Sequence, residues 1–389
     1  MKQRMADLST FWNARSRPQQ WVMLIPVVAF LFALPVLNPP IITTEPATDF
    51  TIALFSAAVL ALIAIGLNVV IGQAGLLDLG YVGFFAIGAY SAALLSSPDS
   101  VLGIRLSWIA IVPIAMVATM ISGVILGTPT LRLRGDYLAI VTLGFGEIVR
   151  LLADNIEPLR GNRGFQDIAR PGGTYPDGSP IFTQTDALGF YWLAVAIIII
   201  VLMFMGNLER SRVGRAWIAV REDEDAAELT GVPTYKFKIW AFAIVAAVGG
   251  LSGTLFAAQV GYVNNQRFDV TTSILYLAAV VLGGSGNKVG VIVGAFLVSY
   301  IPDRFQFEPQ YRFLVFGLAL IILMAFRPQG LLGMRQHLLT YGRQAYARLF
   351  GAGTGVAPTG LTPSTRATGD MPEVTPDDHA GTSPRGGGE

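Results

Sequence analysis

Phe50-Thr51-Ile52-Ala53-Leu54-Phe55-Ser56-Ala57-Ala58-Val59-Leu60-Ala61-Leu62-Ile63-Ala64-Ile65-Gly66-Leu67-Asn68-Val69-Val70-Ile71 is an apolar run without a charged side chain. The hydrocarbon core of a bilayer takes roughly 20 such residues as a helix, which satisfies every backbone polar group internally. The run therefore reads as a membrane span. Further candidate spans fall near 21–37, 76–95, 107–127, 136–153, 187–206, 237–258, 270–284, 289–302 and 312–326. Segments 76–95, 270–284 and 289–302 are short or rich in glycine and read as broken or re-entrant helices. The expectation is an all-α polytopic transmembrane bundle of about eight to ten spans.

Composition points the same way. Of 389 residues, 53% are hydrophobic and only 14% are charged, against about 25% charged in an ordinary soluble domain. A soluble chain of this length needs more charge to cover its surface, so membrane lipid is the partner the apolar surface calls for. The net charge of +1 argues against nucleic-acid binding. With no cysteine, disulfides and thiolate metal sites are excluded. His337 and His379 both lie in a polar C-terminal region, so no histidine-based metal or catalytic site is expected. Lys2, Arg4, Arg15 and Arg17 precede an apolar run after Trp21 that lacks a cleavage site. That run reads as a retained first anchor, not a cleaved signal peptide.

Loop charge sets the expected orientation. Basic residues gather in the N-terminal arm 1–20, at Arg132 and Arg134, in 207–238 and in 327–348, whereas 38–49 has none. An even number of spans places all four basic regions, and both termini, on the cytoplasmic side. The loop 154–186 is then external although it holds Arg160, Arg163 and Arg170. From this follow an N-terminal arm (1–20), a transmembrane domain (21–333) and a cytoplasmic tail (334–389). Beyond about 351 the tail is rich in Gly, Pro, Thr and Ser and is expected to be disordered.

Gly286, Gly290 and Gly294 recur every fourth residue, as do Gly249 and Gly253. Small residues at that spacing let helix backbones approach closely, a feature of polytopic proteins in general. The stretch Ile71-Gly72-Gln73-Ala74-Gly75-Leu76-Leu77-Asp78-Leu79-Gly80-Tyr81 is more specific. It places Gln73 and Asp78 at or within the membrane boundary, where an acid is costly unless it faces a wet cavity or a partner. Two readings stand: a broken element beside a solute pathway, or an interfacial cap with Asp78 as N-cap of the next helix. Glu147 is a second intramembrane acid. Arg150, three residues on, reaches it on one helical face, so Glu147 is either half of an ion pair or a lining residue.

The loop 207–236 carries the sequence Glu222-Asp223-Glu224-Asp225-Ala226-Ala227-Glu228-Leu229-Thr230-Gly231-Val232-Pro233. Acids ahead of an Ala-Ala pair suit a helix start, and Gly231 with Pro233 supplies the stop. A short helix is expected there, small on one side and charged on the other. Such a helix is either a solvated loop element or a piece that lodges in a partner's cleft.

Asp225-Ala226-Ala227-Glu228-Leu229-Thr230-Gly231 resembles the Glu-Ala-Ala-x-x-x-Gly coupling motif of ABC importer permeases, with Asp in place of Glu. Gly72 to Tyr90, Leu131 to Leu152, Gly214 to Ala258 and Gly283 to Ala295 resemble the branched-chain amino acid permease family. The likeness is to its M-type (LivM-like) subunits, notably in Arg134-Gly135-Asp136-Tyr137-Leu138-Ala139-Ile140-Val141-Thr142-Leu143. It covers roughly residues 20–333. The resemblance implies a multi-pass subunit of the plasma (inner) membrane that carries branched-chain or other amino acids. Its implied partners are two cytoplasmic ABC ATPase subunits, a homologous second permease and an extracytoplasmic solute-binding protein. ATP and Mg would be bound by the ATPases, so this chain holds no cofactor, no metal and no catalytic residue. Carried over onto this sequence, Asp223, Asp225, Ala226, Ala227 and Gly231 form the docking helix and Gly214 and Arg215 open it. Gly72, Gln73, Gly75, Asp78, Tyr81 and Glu147 belong to the pathway. Two departures stand out. Asp225 shortens the acidic side chain of the motif, and Asp78 replaces a small polar residue, which would favour an ammonium group or a cationic or amide solute.

Three rival functions are weighed. An ion-driven secondary transporter predicts inverted repeats and intramembrane ion sites, and neither is evident. A membrane enzyme predicts a nucleophile or metal set, and the chain has no Gly-x-Ser-x-Gly element or Walker-type phosphate loop. An ABC permease for urea or short amides is the nearest alternative.

Overall fold

The computed structural model describes Pro26 and residues 29–37, 49–130, 136–174 and 178–305, with isolated positions at 314, 317–318, 321–322 and 330–331. The arm 1–20, the tail 334–389, part of the candidate span at 21–37 and most of that at 312–326 lie outside these residues.

Helix α1 (Phe50–Asn68) starts at Asp49, whose carboxylate accepts from the Thr51 amide at 2.8 Å. It is buried on every side, as a helix apolar all round must be when other helices surround it. Helices α2 (Tyr81–Ser96), α3 (Trp108–Thr130) and α4 (Asp136–Asn155) follow. Then come α5 (Leu188–Arg210), two short helices α6 (Arg212–Glu222) and α7 (Glu224–Leu229), and the long α8 (Thr234–Val260). Helices α9 (Val270–Gly283) and α10 (Lys288–Phe305) complete the series. Among the described residues the bundle is all-α apart from a two-residue antiparallel ribbon pairing Phe165 with Val263 and Gln166 with Tyr262 and a single bridge between Thr174 and Pro180.

Among the described residues, four stretches are long and apolar enough to cross a membrane: Phe50–Gln73, Trp108–Thr130, Leu188–Arg210 and Thr234–Val260. The chain is a multi-pass membrane protein. Helix α3 exposes Ile114, Val117, Ile121 and Ile125, a single face at helical spacing that suits lipid. The shorter α2 and Lys288–Pro302 are apolar but fall under that length, in keeping with the expectation of shortened elements at 76–95 and 289–302.

Glycine sets the interhelical distances. A Cβ on Gly88 of α2 would lie 2.5 Å from the Gly250 Cα of α8, and one on Gly250 would lie 2.8 Å from Thr119 Cγ2 of α3. Between α9 and α10, a Cβ on Gly294 would lie 2.6 Å from the Gly283 amide nitrogen. The stripes containing Gly253 and Gly294 therefore act as close-contact surfaces. Gly286 does not belong to its stripe: it sits in the turn ahead of α10 at φ +86°.

Residues 156–174 and 178–187 fold over the end of the bundle where α2 and α8 finish. Ser96 Oγ accepts from the Ala169 amide at 3.0 Å and Gln184 Nε2 donates to the Val260 carbonyl at 3.2 Å. Arg160 pairs with Asp99 at 2.9 Å, so part of this loop's basic charge is neutralised locally. The helices α6 and α7 lie at the opposite end.

Candidate functional site

The first helix does not finish as it begins. Val69–Gln73 is a π-turn, an irregularity that concentrates at functional positions. Asn68 Oδ1 accepts from the Gly286 amide at 2.8 Å, and a Cβ on Gly72 would lie 2.8 Å from Gly286 Cα. Two backbones meet here, which glycine at 72 permits. The chain then runs irregularly to Gly80, turning at Gly75 with φ +70°.

This break is held by side chains from distant helices. Thr142 Oγ1 of α4 accepts from the Leu79 amide at 3.0 Å, and Ser273 of α9 donates to the Leu79 carbonyl. Asp78 is buried, with Oδ1 accepting from the Gly80 amide at 2.8 Å. Gly80, not Asp78, is the N-cap of α2, so Asp78 closes a local turn two residues before the helix. Its Oδ2 has no hydrogen-bond partner. Tyr81 is fully buried and meets the Tyr276 ring edge-on at 6.4 Å. Glu147 lies on α4, bound to Arg150 Nε at 3.0 Å through both carboxylate oxygens. Of the two readings of Glu147, the structure forms the ion pair with Arg150.

Below the break, charged side chains tie four elements together. Gln73 donates to the Glu209 carboxylate at the end of α5, and Glu209 Oε2 pairs with Lys288 Nζ of α10 at 2.6 Å. Arg221 Nη1 of α6 donates to the Gly72 carbonyl at 2.6 Å. A Cβ on Gly75 would stand 3.1 Å from Arg221 Cβ. The break and the short helices are therefore in direct contact.

Those helices are built by recognisable signals. Ser211 caps α6, accepting from the Val213 amide at 3.1 Å. A Cβ on Gly214 would overlap the Glu209 main chain, and Arg215 Nη1 donates to the Arg210 carbonyl at 3.0 Å. Trp217 is fully buried and donates from Nε1 to the Phe237 carbonyl at 2.7 Å. Asp223 caps α7, accepting from the Ala226 amide at 3.0 Å. The helix ends with Gly231 N–H bonded to the Glu228 carbonyl and Val232 N–H to the Ala227 carbonyl, Gly231 having φ +86°. This paired closure is the Schellman arrangement that glycine favours. Where the sequence suggested one short helix in 207–236, Asp223 divides the segment into two.

One face of α7 is anchored. Ala227 is buried, and Lys238, 1% exposed, pairs with Glu224 at 2.5 Å. The other face carries Asp225, Ala226 and Leu229 outward, and Leu229 is 89% exposed.

At the opposite end a cavity of about 600 Å³ opens between α1, α9 and the segment joining Tyr262–Val263 to α9. Val59, Leu60, Ile63, Phe85, Phe256 and Leu275 give it an apolar wall. Asn264, Gln266, Arg267, Asp269, Thr272 and Tyr276 give it a polar one. Burial pushes the Asp269 carboxyl up, but the hydroxyl and amide of Thr272, with Thr271, outweigh it and hold it below the usual carboxylate range. Asp269 is thus ionised at neutral pH. Tyr276, on the cavity wall, touches Tyr81, so the cavity leads toward the break. Among the described residues no group of three or more His, Asp or Glu side chains could hold a metal ion.

Sequence reasoning placed Gly72, Gln73, Gly75, Asp78 and Tyr81 in one region, and the structure brings them together. It missed Arg221, Glu209, Lys238 and Leu229, and it missed the cavity rim. Arg221 lay in a basic stretch where any arginine reads as loop charge.

An all-α multi-pass bundle with a broken span and two capped helices at one end is the architecture of a membrane permease. Residues 50–324 match the family described as the branched-chain amino acid transport system permease component, and the chain belongs to that family. It is 40% identical over 291 residues to the high-affinity branched-chain amino acid transport system permease protein LivM of Salmonella typhimurium, covering 70% of this chain and 67% of that protein. It is 41% identical to LivM of Escherichia coli over the same shares of the two chains. At 26% identity over 262 residues, it is also similar to the autoinducer 2 import system permease protein LsrC of Salmonella typhi, covering 64% of this chain and 71% of that one. No solved structure matches the chain. As a permease component it moves solute and is not itself catalytic. Membership implies an ABC importer architecture with ATPase subunits, a binding protein and paired permeases.

Proposed function

We propose that this chain translocates branched-chain amino acids across the plasma (inner) membrane as the M-type half of a permease heterodimer. Two cytoplasmic ABC ATPase subunits would drive it, and an extracytoplasmic binding protein would deliver solute. The observation that carries the reading is the bond from Arg221 of α6 to the Gly72 carbonyl, which joins a partner-facing element to the broken span. In this reading 21–333 form the permease domain and 207–236 its cytoplasmic coupling loop, with the arm 1–20 and tail 334–389 on the same side. Asp223, Asp225, Ala226, Ala227 and Gly231 build the docking helix, and Gly214 with Arg215 sets its approach. Gly72, Gln73, Gly75, Asp78 and Tyr81 flank the solute path, while Glu147, paired with Arg150, braces α4 beside it. ATP closure of the ATPases would press on α7, move α6 and re-set the break. The two LivM relatives support the solute class, and the apolar wall of the cavity suits a branched side chain.

The test is a mild-detergent pull-down of the tagged chain from its own host, with co-purifying proteins identified by mass spectrometry. Recovery of an ABC ATPase and a second permease, followed by leucine-dependent ATPase activity with the co-encoded binding protein, supports the reading. Recovery of the chain alone, stable and without an ATPase, overturns it.

A further inference from the structure

The cavity at the end away from α7 lies outside the pathway region the sequence marked, and its lining has a definite chemical character. Three kinds of surface meet in it. Val59, Leu60 and Ile63 present an apolar strip along α1, about 6 Å long at the helical rise. Arg267 and Asp269, two residues apart, bring opposite charges to one wall. Arg267 is exposed and enters no ion pair among the described residues. Asn264 is buried, and its side-chain oxygen has no hydrogen-bond partner. Buried acceptors are rarely left so in folded proteins, and a donor entering the cavity would satisfy this one. The volume of about 600 Å³ falls within the range of small-molecule sites.

A free α-amino acid offers the complement: an ammonium, a carboxylate and, in the branched-chain series, a compact apolar side chain. We propose that this cavity is a selective receiving site for zwitterionic branched-chain amino acids. Asp269 and Asn264 take the ammonium, Arg267 takes the carboxylate, and Val59, Leu60 and Ile63 hold the side chain. The inference rests on the permease reading and deepens it: selection is exercised by the membrane subunit as well as by the delivering protein. Urea and short amides, with neither full charge nor an apolar body, are poor ligands for such a wall.

The experiment uses the assembled permease–ATPase complex in nanodiscs without its binding protein, titrated by saturation-transfer NMR. The probes are L-leucine, L-leucinamide (no carboxylate), 4-methylpentanoate (no ammonium) and urea. Leucine is expected to bind in the millimolar range, both analogues about tenfold more weakly, and urea not measurably. Arg267→Gln should erase the preference for leucine over leucinamide. Asp269→Asn should erase the preference over 4-methylpentanoate, while asparagine keeps the cap on α9. Leucine bound no better than its analogues, or unchanged discrimination in both variants, overturns the site. The same preparation is assayed for ATPase stimulation by loaded binding protein. Intact stimulation without discrimination sinks the cavity proposal and leaves the permease reading standing, whereas a preparation without an ATPase partner sinks both.

Discussion

Arg221 donates from Nη1 to the main-chain carbonyl of Gly72 at 2.6 Å, joining residues 149 positions apart in the chain. A carbonyl inside a regular helix is already engaged, but the π-turn Val69–Gln73 and the break after it leave this one for a guanidinium. The bond therefore depends on the break, and a change in one is felt by the other.

Replacing Arg221 by alanine should lower leucine uptake in proteoliposomes about tenfold while ATPase turnover persists, since a charge-assisted bond of this kind is worth about 1.5–3 kcal/mol. Lysine, which reaches but lacks the planar fork, should recover only part. Uptake equal to the parent in Arg221→Ala would remove this bond from the coupling route.

The docking helix gives a second expectation. Gly231→Pro forbids φ +86° and deletes the amide that bonds to Glu228, and Ala227→Glu drives a charge into a buried position. Both variants should reach the membrane folded and hydrolyse ATP without uptake. Leu229→Asp, on the exposed tip, should instead reduce ATPase recovery in the pull-down. Undiminished recovery would show that the partner does not grip the leucine.

Lys238 and Glu224 offer a test by double substitution. Lys238→Met leaves Glu224 beside an apolar surface and should cost about 3 kcal/mol of stability, as breaking one side of a buried pair does. Adding Glu224→Gln should restore most of it, read as thermal unfolding in detergent. If the double variant is no better than the single, the pair does not hold α7 to α8.

Asp78→Asn should preserve the turn, because an amide oxygen still accepts from Gly80, while removing a buried charge whose Oδ2 lacks a partner. The unfolding temperature should stay at or above the parent's, and leucine uptake should fall. Unchanged uptake would mean that the carboxylate has no part in transport.

Much of the fold could be read from hydropathy, because the bilayer imposes one length on every span. The run 50–71 lies within the observed Phe50–Gln73, and 107–127 starts one residue ahead of the observed Trp108–Thr130. Hydropathy starts α2 at 76, whereas the helix begins at Tyr81. Leu76 and Leu77 look as helical as their neighbours, and what holds this stretch open is Thr142 and Ser273. The π-turn was hidden for the same reason, since it answers to Gly286, over two hundred residues away. In 207–236 the composition spoke for helix but could not say that Asp223 would cap a second one. The rim of the cavity, Asn264 to Asp269, read as a connector because its meaning lies in what α1 places opposite it.

On the proposed docking at α7, the two short helices would pivot together about Trp217, which is fixed to the Phe237 carbonyl at 2.7 Å. Arg221, on the Gly72 carbonyl, lies one turn of α6 from that pivot, about 6 Å away. The stroke of the gate would then be bounded by a short radius: the break could move only as far as a rotation about Trp217 carries a side chain one helical turn off.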